Sequence, residues 1–233
     1  MDVGGGRKVR ERKVTRAKKV ESGERPERKA KFEEEHVAKV FNLQPKTPAQ
    51  VEYIKLLKSK QLLFAVGASG AGKTFCACVH AVNKLLLGEV ERIVLIRPYE
   101  AVGKSIGLRP GSTEEKLFPL MQSMLDPMKQ ILGAGKFQYA LEHGQIILEA
   151  LEDCRGRSYK NSIIILDEGS NTDIKSMQTL VTRVDTGSQM IVCGDTAKWQ
   201  QDIKGDSGLP FILELIKKLR VEQPDYLDSE DWG

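Results

Sequence analysis

An α/β fold built on a mostly parallel sheet is predicted from three observations. Five short apolar runs (Leu62–Val66, Arg92–Ile96, Ile146–Leu148, Ser162–Leu166 and Met190–Cys193) alternate with stretches of helical spacing, the pattern of strands joined by helical crossovers. The first run breaks into a glycine-rich turn that opens an apolar helix. The fourth and fifth deliver carboxylates, Asp167-Glu168 and Asp195, where the strands stop. In an open parallel sheet that edge is where ligands bind.

The glycine-rich turn reads Gly67-Ala68-Ser69-Gly70-Ala71-Gly72-Lys73-Thr74, matching G-x-x-x-x-G-K-[ST]. Glycines let backbone N–H groups approach phosphate oxygens closely, because no Cβ stands in the way. Lys73 supplies a point charge to the β- and γ-phosphates, and the Thr74 hydroxyl is placed to ligate Mg²⁺. The helix that follows aims its positive end at the same anion. A mere turn ending in Lys-Thr would need neither strand nor helix beside it; here both flank the motif. The predicted architecture is therefore a P-loop NTPase (RecA-like) three-layer α/β/α sandwich.

In chain order, residues 1–44 read as a basic tail, with twelve Lys/Arg against five Asp/Glu in residues 1–31. That surplus of seven exceeds the +4 of the whole chain, so the remainder is acidic by three. Such a tail buries too little surface to offset ordering entropy. It could attract a phosphate backbone or simply solubilise. Residues 45–220 form the predicted phosphate-loop domain. Val51, Ile54 and Leu57 suit a short helix, with Thr47 as cap and Pro48 in its first turn. After the phosphate loop a helix runs to near Gly88, and Arg92–Ile96 is the second buried strand.

Ala101–Gly111 is too rich in Gly and Pro for a plain helix and reads as a hairpin or exposed loop. Ser112-Thr113-Glu114-Glu115 is a capping box. Behind it, apolar positions from Leu117 to Leu132 predict a helix, with Pro119 near its start and a kink at Pro127. A helix is predicted over Asn171–Val184 and a last one over Pro210–Leu219, before an acidic tail at 221–233.

Ile163-Ile164-Ile165-Leu166 followed by Asp167-Glu168 lies 93 residues beyond Thr74. A buried strand ending in a carboxylate, on the sheet that carries a phosphate loop, places Asp167 beside Mg²⁺. Glu168 is then positioned to orient or deprotonate an attacking water, which favours hydrolysis over transfer to a small acceptor. There is no run of 18 apolar residues and the N-terminus is charged, so secretory and membrane-spanning readings fail and a cytoplasmic place is expected. Cys76, Cys78, Cys154 and Cys193 show no metal-ligand spacing and read as buried thiols.

Taken together, Gln50, G-A-S-G-A-G-K-T, R-P-Y-E-A-V-G-K-S-I-G-L-R-P-G, R-G-R-S, I-I-I-L-D-E-G-S-N, V-T-R-V and C-G-D resemble the PhoH family over about Pro45 to Leu219. These are P-loop ATPases of bacteria and phages associated with phosphate starvation, similar to the first lobe of superfamily 1 helicases. The resemblance implies ATP and Mg²⁺ as ligands. It implies that Gln50 reads the adenine edge, that Asp195 senses the γ-phosphate, and that Arg183 is a candidate arginine finger reaching a neighbour's nucleotide. Arg183 could equally be a surface ion-pair partner. Arg97 and the Arg155–Arg157 loop could face nucleic acid or an adjacent subunit.

Two departures stand out: the family's D-E-A-Q-N is here Asp167-Glu168-Gly169-Ser170-Asn171, and its G-D-x-x-Q becomes Gly194-Asp195-Thr196-Ala197-Lys198. Both lost glutamines belong to machinery that links phosphate state to nucleic-acid grip. One lobe cannot form a two-lobed nucleotide cleft, so a homo-oligomeric ring, of six subunits, is expected, with single-stranded RNA or DNA as the candidate partner and no membrane. A P-loop kinase and an ATP-assembled nucleic-acid scaffold with little turnover are the rival readings.

Overall fold

The computed structural model describes residues 40–98, 113–197, 203, 205–219 and 225–227. The basic stretch 1–39, the Ala101–Gly111 segment, Ser112, Lys198, Gln200 and Gln201 lie outside the described residues.

Every apolar run becomes a strand: β1 (Leu62–Val66), β2 (Arg92–Arg97), β3 (Ile146–Ala150), β4 (Ser162–Leu166) and β5 (Gln189–Gly194). A three-residue β6 (Asp225–Leu227) joins the edge of the sheet from within the acidic C-terminal stretch. The order is β3-β2-β4-β5-β1-β6, and all five pairings are parallel. Strands buried on both faces read as continuous apolar runs rather than alternating ones, which is why the sequence marks them so clearly.

Because side chains alternate across a strand, each run feeds two cores. Leu63, Ala65, Ile93, Leu95, Ile163, Ile165 and Ile191 pack on one face. Helices α1 (Pro48–Ser59), α2 (Lys73–Leu86), α4 (Gln122–Leu132) and α5 (Ala134–Glu142) cover that side through Tyr53, Ala77, Met124 and Phe137. Phe64, Val66, Val94, Ile96, Ile164, Leu166 and Val192 point the other way, under α6 (Ile174–Val181) and α7 (Gly208–Leu219) through Met177, Leu180, Leu209 and Ile212. The result is the expected three-layer α/β/α sandwich.

Local chemistry explains most boundaries. Thr47 caps α1, its hydroxyl accepting from the Gln50 backbone N–H at 3.2 Å, with Pro48 in the first turn. The single helix expected behind the capping box is divided instead. A short α3 (Thr113–Leu117) passes into a 3₁₀ turn at Phe118–Met121, around Pro119, before α4 begins. Pro127 sits inside α4 without ending it. The helix expected over 171–184 is also shorter. Gly169–Asn171 form a 3₁₀ turn, Thr172 is extended, and Asp173 caps α6, whose last residue is Val181.

Strand register sets the functional edge. Ile96 pairs with Leu166, Leu166 with Val192, and Val66 with Gly194. Arg97, Asp167, Gly67 and Asp195 therefore leave the sheet side by side at its C-terminal rim.

Candidate active site

The phosphate loop turns as its glycines require. Gly70 and Gly72 have φ of +83° and +89°, a region that L side chains rarely adopt. A Cβ at Gly72 would also meet Gln50 Nε2 at 3.2 Å. Lys73 opens α2, which puts the loop at the positive end of that helix. Its ammonium donates to the carbonyls of Gly67 at 2.6 Å and Ala68 at 2.7 Å. Burial lowers the Lys73 pKa, and the nearby carboxylates Asp195, Asp167 and Glu168 pull it back up.

The Thr74 hydroxyl donates to Asp167 Oδ1 at 2.7 Å, across 93 residues of sequence. Ser123 Oγ, from the start of α4, donates to Asp167 Oδ2 at 3.1 Å. Arg97 Nη1 lies 3.8 Å from the same oxygen, and Nη2 lies 3.5 Å from Glu168 Oε1. Glu168 has φ +54° and ψ +41°, a left-handed conformation that is uncommon for a residue with a side chain. It costs on the order of 1–3 kcal/mol, and such strain concentrates at functional sites. Gly169 allows the tight turn that follows, since a Cβ there would lie 2.9 Å from Val192 Cγ1.

These groups surround one cavity of about 330 Å³. Lys73 and Arg97 face Asp167, Glu168 and Asp195 across it, a net deficit of one positive charge. A triphosphate entering alone would meet repulsion, and a divalent cation removes it. Thr74 and Asp167 suit Mg²⁺, which takes one or two protein oxygens and fills its octahedron from water and phosphate. No group of three or more His, Cys, Asp or Glu able to cage an ion occurs among the described residues.

The remaining candidates divide. Ser69, Gly70, Gly72 and Asp195 line the cavity, and the Ala197 N–H donates to Asp195 Oδ1 at 2.8 Å. Gln50 braces the loop from outside: Nε2 donates to the Ala71 carbonyl at 3.0 Å, and Oε1 accepts from the Lys46 N–H at 2.7 Å. Arg183 is not among the residues of the cavity. Its guanidinium donates to the Thr179 carbonyl at 3.1 Å, to Thr182 Oγ1 at 3.1 Å and to the Arg157 carbonyl at 3.4 Å. Arg157 in turn is paired with buried Glu149 at 2.5 Å, which also accepts from Tyr159 Oη.

Arg97, named as a residue that could face nucleic acid or an adjacent subunit, lines the cavity, and Ser123, Phe75 and Cys193 join it. A basic residue closing an apolar run was the available signal for Arg97. Ser123 carried none. Burial pushes the Cys193 thiol up to about 12, so it stays protonated. Ser170, standing where the family has glutamine, is 1% exposed, and its hydroxyl has no hydrogen-bond partner among the described residues.

A phosphate loop between a buried strand and a helix, facing a strand-end carboxylate on the same parallel sheet, defines the P-loop NTPase class. The family described as PhoH-like protein matches residues 42–232, and the chain belongs to it, a family of P-loop ATPases. A PhoH-like protein of Bacillus subtilis (strain 168) is 34% identical over 194 residues, covering 83% of this chain and 61% of that one. Protein PhoH of Escherichia coli (strain K12) is 34% identical over 172 residues, covering 73% and 49%. The chain thus spans roughly half to three-fifths of these relatives' length. Among solved structures, the large terminase of a thermophilic bacteriophage superposes with a TM-score of 0.48 at 15% identity, covering 81% of this chain and 47% of that one. No described helix is long and apolar enough to cross a membrane.

Proposed function

We propose that this chain binds ATP with Mg²⁺ and hydrolyses it, with Glu168 as the base that activates water. The 2.7 Å contact between Thr74 and Asp167 carries the reading, because it joins the two protein ligands a nucleotide-bound magnesium needs. Thr74 and Asp167 would hold the ion, which would there supply charge neutralisation of the phosphate in the transition state. The loop N–H groups and Lys73 hold the β- and γ-phosphates, which requires Lys73 to exchange the Gly67 and Ala68 carbonyls for phosphate oxygens. Glu168, whose side chain is 42% exposed, can accept a proton from water at the cavity mouth. Asp195 closes the far side as γ-phosphate sensor, and Gln50 reaches the adenine only by releasing Ala71 or Lys46.

Assembly as a ring of six, with Arg183 acting on a neighbour's nucleotide, is supported by the position of Arg183 outside its own chain's cavity. Coupling to single-stranded RNA or DNA is supported by the basic N-terminal surplus. An ATP-assembled scaffold with little turnover is favoured by one observation, the burial of Ser170 where a coupling glutamine is usual. Free-phosphate release from ATP, with and without single-stranded RNA or DNA, separates these readings. Glu168→Gln should keep nucleotide affinity and lower release by about 10²–10⁴-fold. Normal hydrolysis by that variant would remove Glu168 from its role. A monomer by sedimentation with full activity would remove the ring.

A further inference from the structure

Arg97 ends β2 one strand away from Asp167, with Ile96 paired to Leu166 and the Asp167 N–H donating to the Ile96 carbonyl at 3.0 Å. Its side chain is only 18% exposed. Nη1 donates to the Leu120 carbonyl, at the turn before α4, while its fork spans toward both Asp167 and Glu168. Ser123 reaches Asp167 from the same turn of chain. Arg97, which opens the R-P-Y-E stretch, and Ser123, which lies in no recognised motif, thus converge on the two acids of the site.

A glutamate that activates water must be held accurately, since about 1 Å of misplacement can cost about 10²-fold in rate. The left-handed backbone fixes the root of Glu168, but its carboxylate is carried on a flexible, half-exposed side chain. A planar guanidinium anchored to a backbone carbonyl can restrain that carboxylate, whereas a lysine offers only a point charge. The 3.5 Å separation is that of an ion pair, free to tighten once a nucleotide is bound.

We propose that Arg97 is a positioning residue for hydrolysis, anchored on the Leu120 carbonyl and holding the Glu168 carboxylate at the cavity mouth, while Ser123 does the same for Asp167. The inference rests on the ATPase reading above. The test compares wild type, Arg97→Ala, Arg97→Lys, Glu168→Gln and the Arg97→Ala/Glu168→Gln double variant. Phosphate release over a range of ATP concentrations, titration with a fluorescent ATP analogue, and thermal melting are measured on each.

Arg97→Ala should lower kcat by about 100-fold while the analogue still binds near wild-type affinity. Arg97→Lys should recover part of kcat, and the double variant should be no slower than Glu168→Gln alone, because Arg97 acts through Glu168. Wild-type kcat in Arg97→Ala, or additive losses in the double variant, would overturn the inference and leave the ATPase reading intact. If Arg97→Ala melts early, Arg97→Lys decides: a loss of affinity with kcat unchanged would equally overturn it. No phosphate release from the wild-type chain would remove the ATPase reading and this inference together.

Discussion

Lys73 and Arg183 are both cations that the sequence nominates for phosphate chemistry, and the structure treats them differently. Lys73 is 9% exposed, begins a helix, and sits between loop carbonyls and three carboxylates. Arg183 lies beyond the end of α6, donating to the Thr179 carbonyl of that helix, to the Thr182 hydroxyl and to the Arg157 carbonyl. One region is a rim where strand register brings charged groups together; the other is a helix end whose arginine is held by neutral acceptors. A motif residue fixed by its local backbone is legible within one chain, whereas a residue proposed to act on a neighbour's nucleotide is judged only in the assembly.

Lys73→Ala removes a buried charged donor worth about 1.5–3 kcal/mol, so nucleotide affinity should fall on the order of 10–100-fold in a fluorescence titration. Unchanged affinity would mean the loop does not cradle phosphate.

The next largest effect belongs to the other region and should appear in stability alone. Glu149→Ala strips Arg157 and Tyr159 of their shared acceptor. It should cost about 1–3 kcal/mol in denaturant unfolding, with nucleotide affinity retained. A loss of affinity instead would tie the 155–158 loop to the cavity.

Asp173 sharpens the same contrast through pH. Burial would raise its pKa, but hydrogen bonds from Ser176 and neighbouring backbone donors outweigh that and lower it. A depressed folded pKa stabilises the protein above the ordinary carboxylate range, and that gain is lost as pH falls through the folded value. Asp173→Ala should cost about 0.5–2 kcal/mol at neutral pH, and the gap to wild type should close in acid. The smallest effect is expected for Arg183→Ala on a dilute chain: nucleotide affinity unchanged, with turnover reduced only at concentrations where subunits assemble.

Much of this was legible in the sequence for a physical reason. Strands β1, β2, β4 and β5 are buried on both faces, so composition alone marks them, and the loop between β1 and α2 is fixed by glycine conformation and a helix N-terminus. Asp167 and Glu168 follow from the same strand-end logic. Arg97 emerged without its place beside the two acids and Ser123 did not emerge, because those places depend on which strand neighbours which and on a helix broken at Pro119. The short strand Asp225–Leu227 was hidden by its acidic surroundings.

The central claim is that Thr74 and Asp167 jointly hold the magnesium of a bound nucleotide. Titration of a fluorescent ATP analogue, with Mg²⁺ and with chelator, into wild type and Asp167→Asn tests it directly. The account predicts tighter binding with Mg²⁺ for the wild type and a much weaker response to Mg²⁺ for Asp167→Asn. An equal magnesium dependence in both proteins would contradict it.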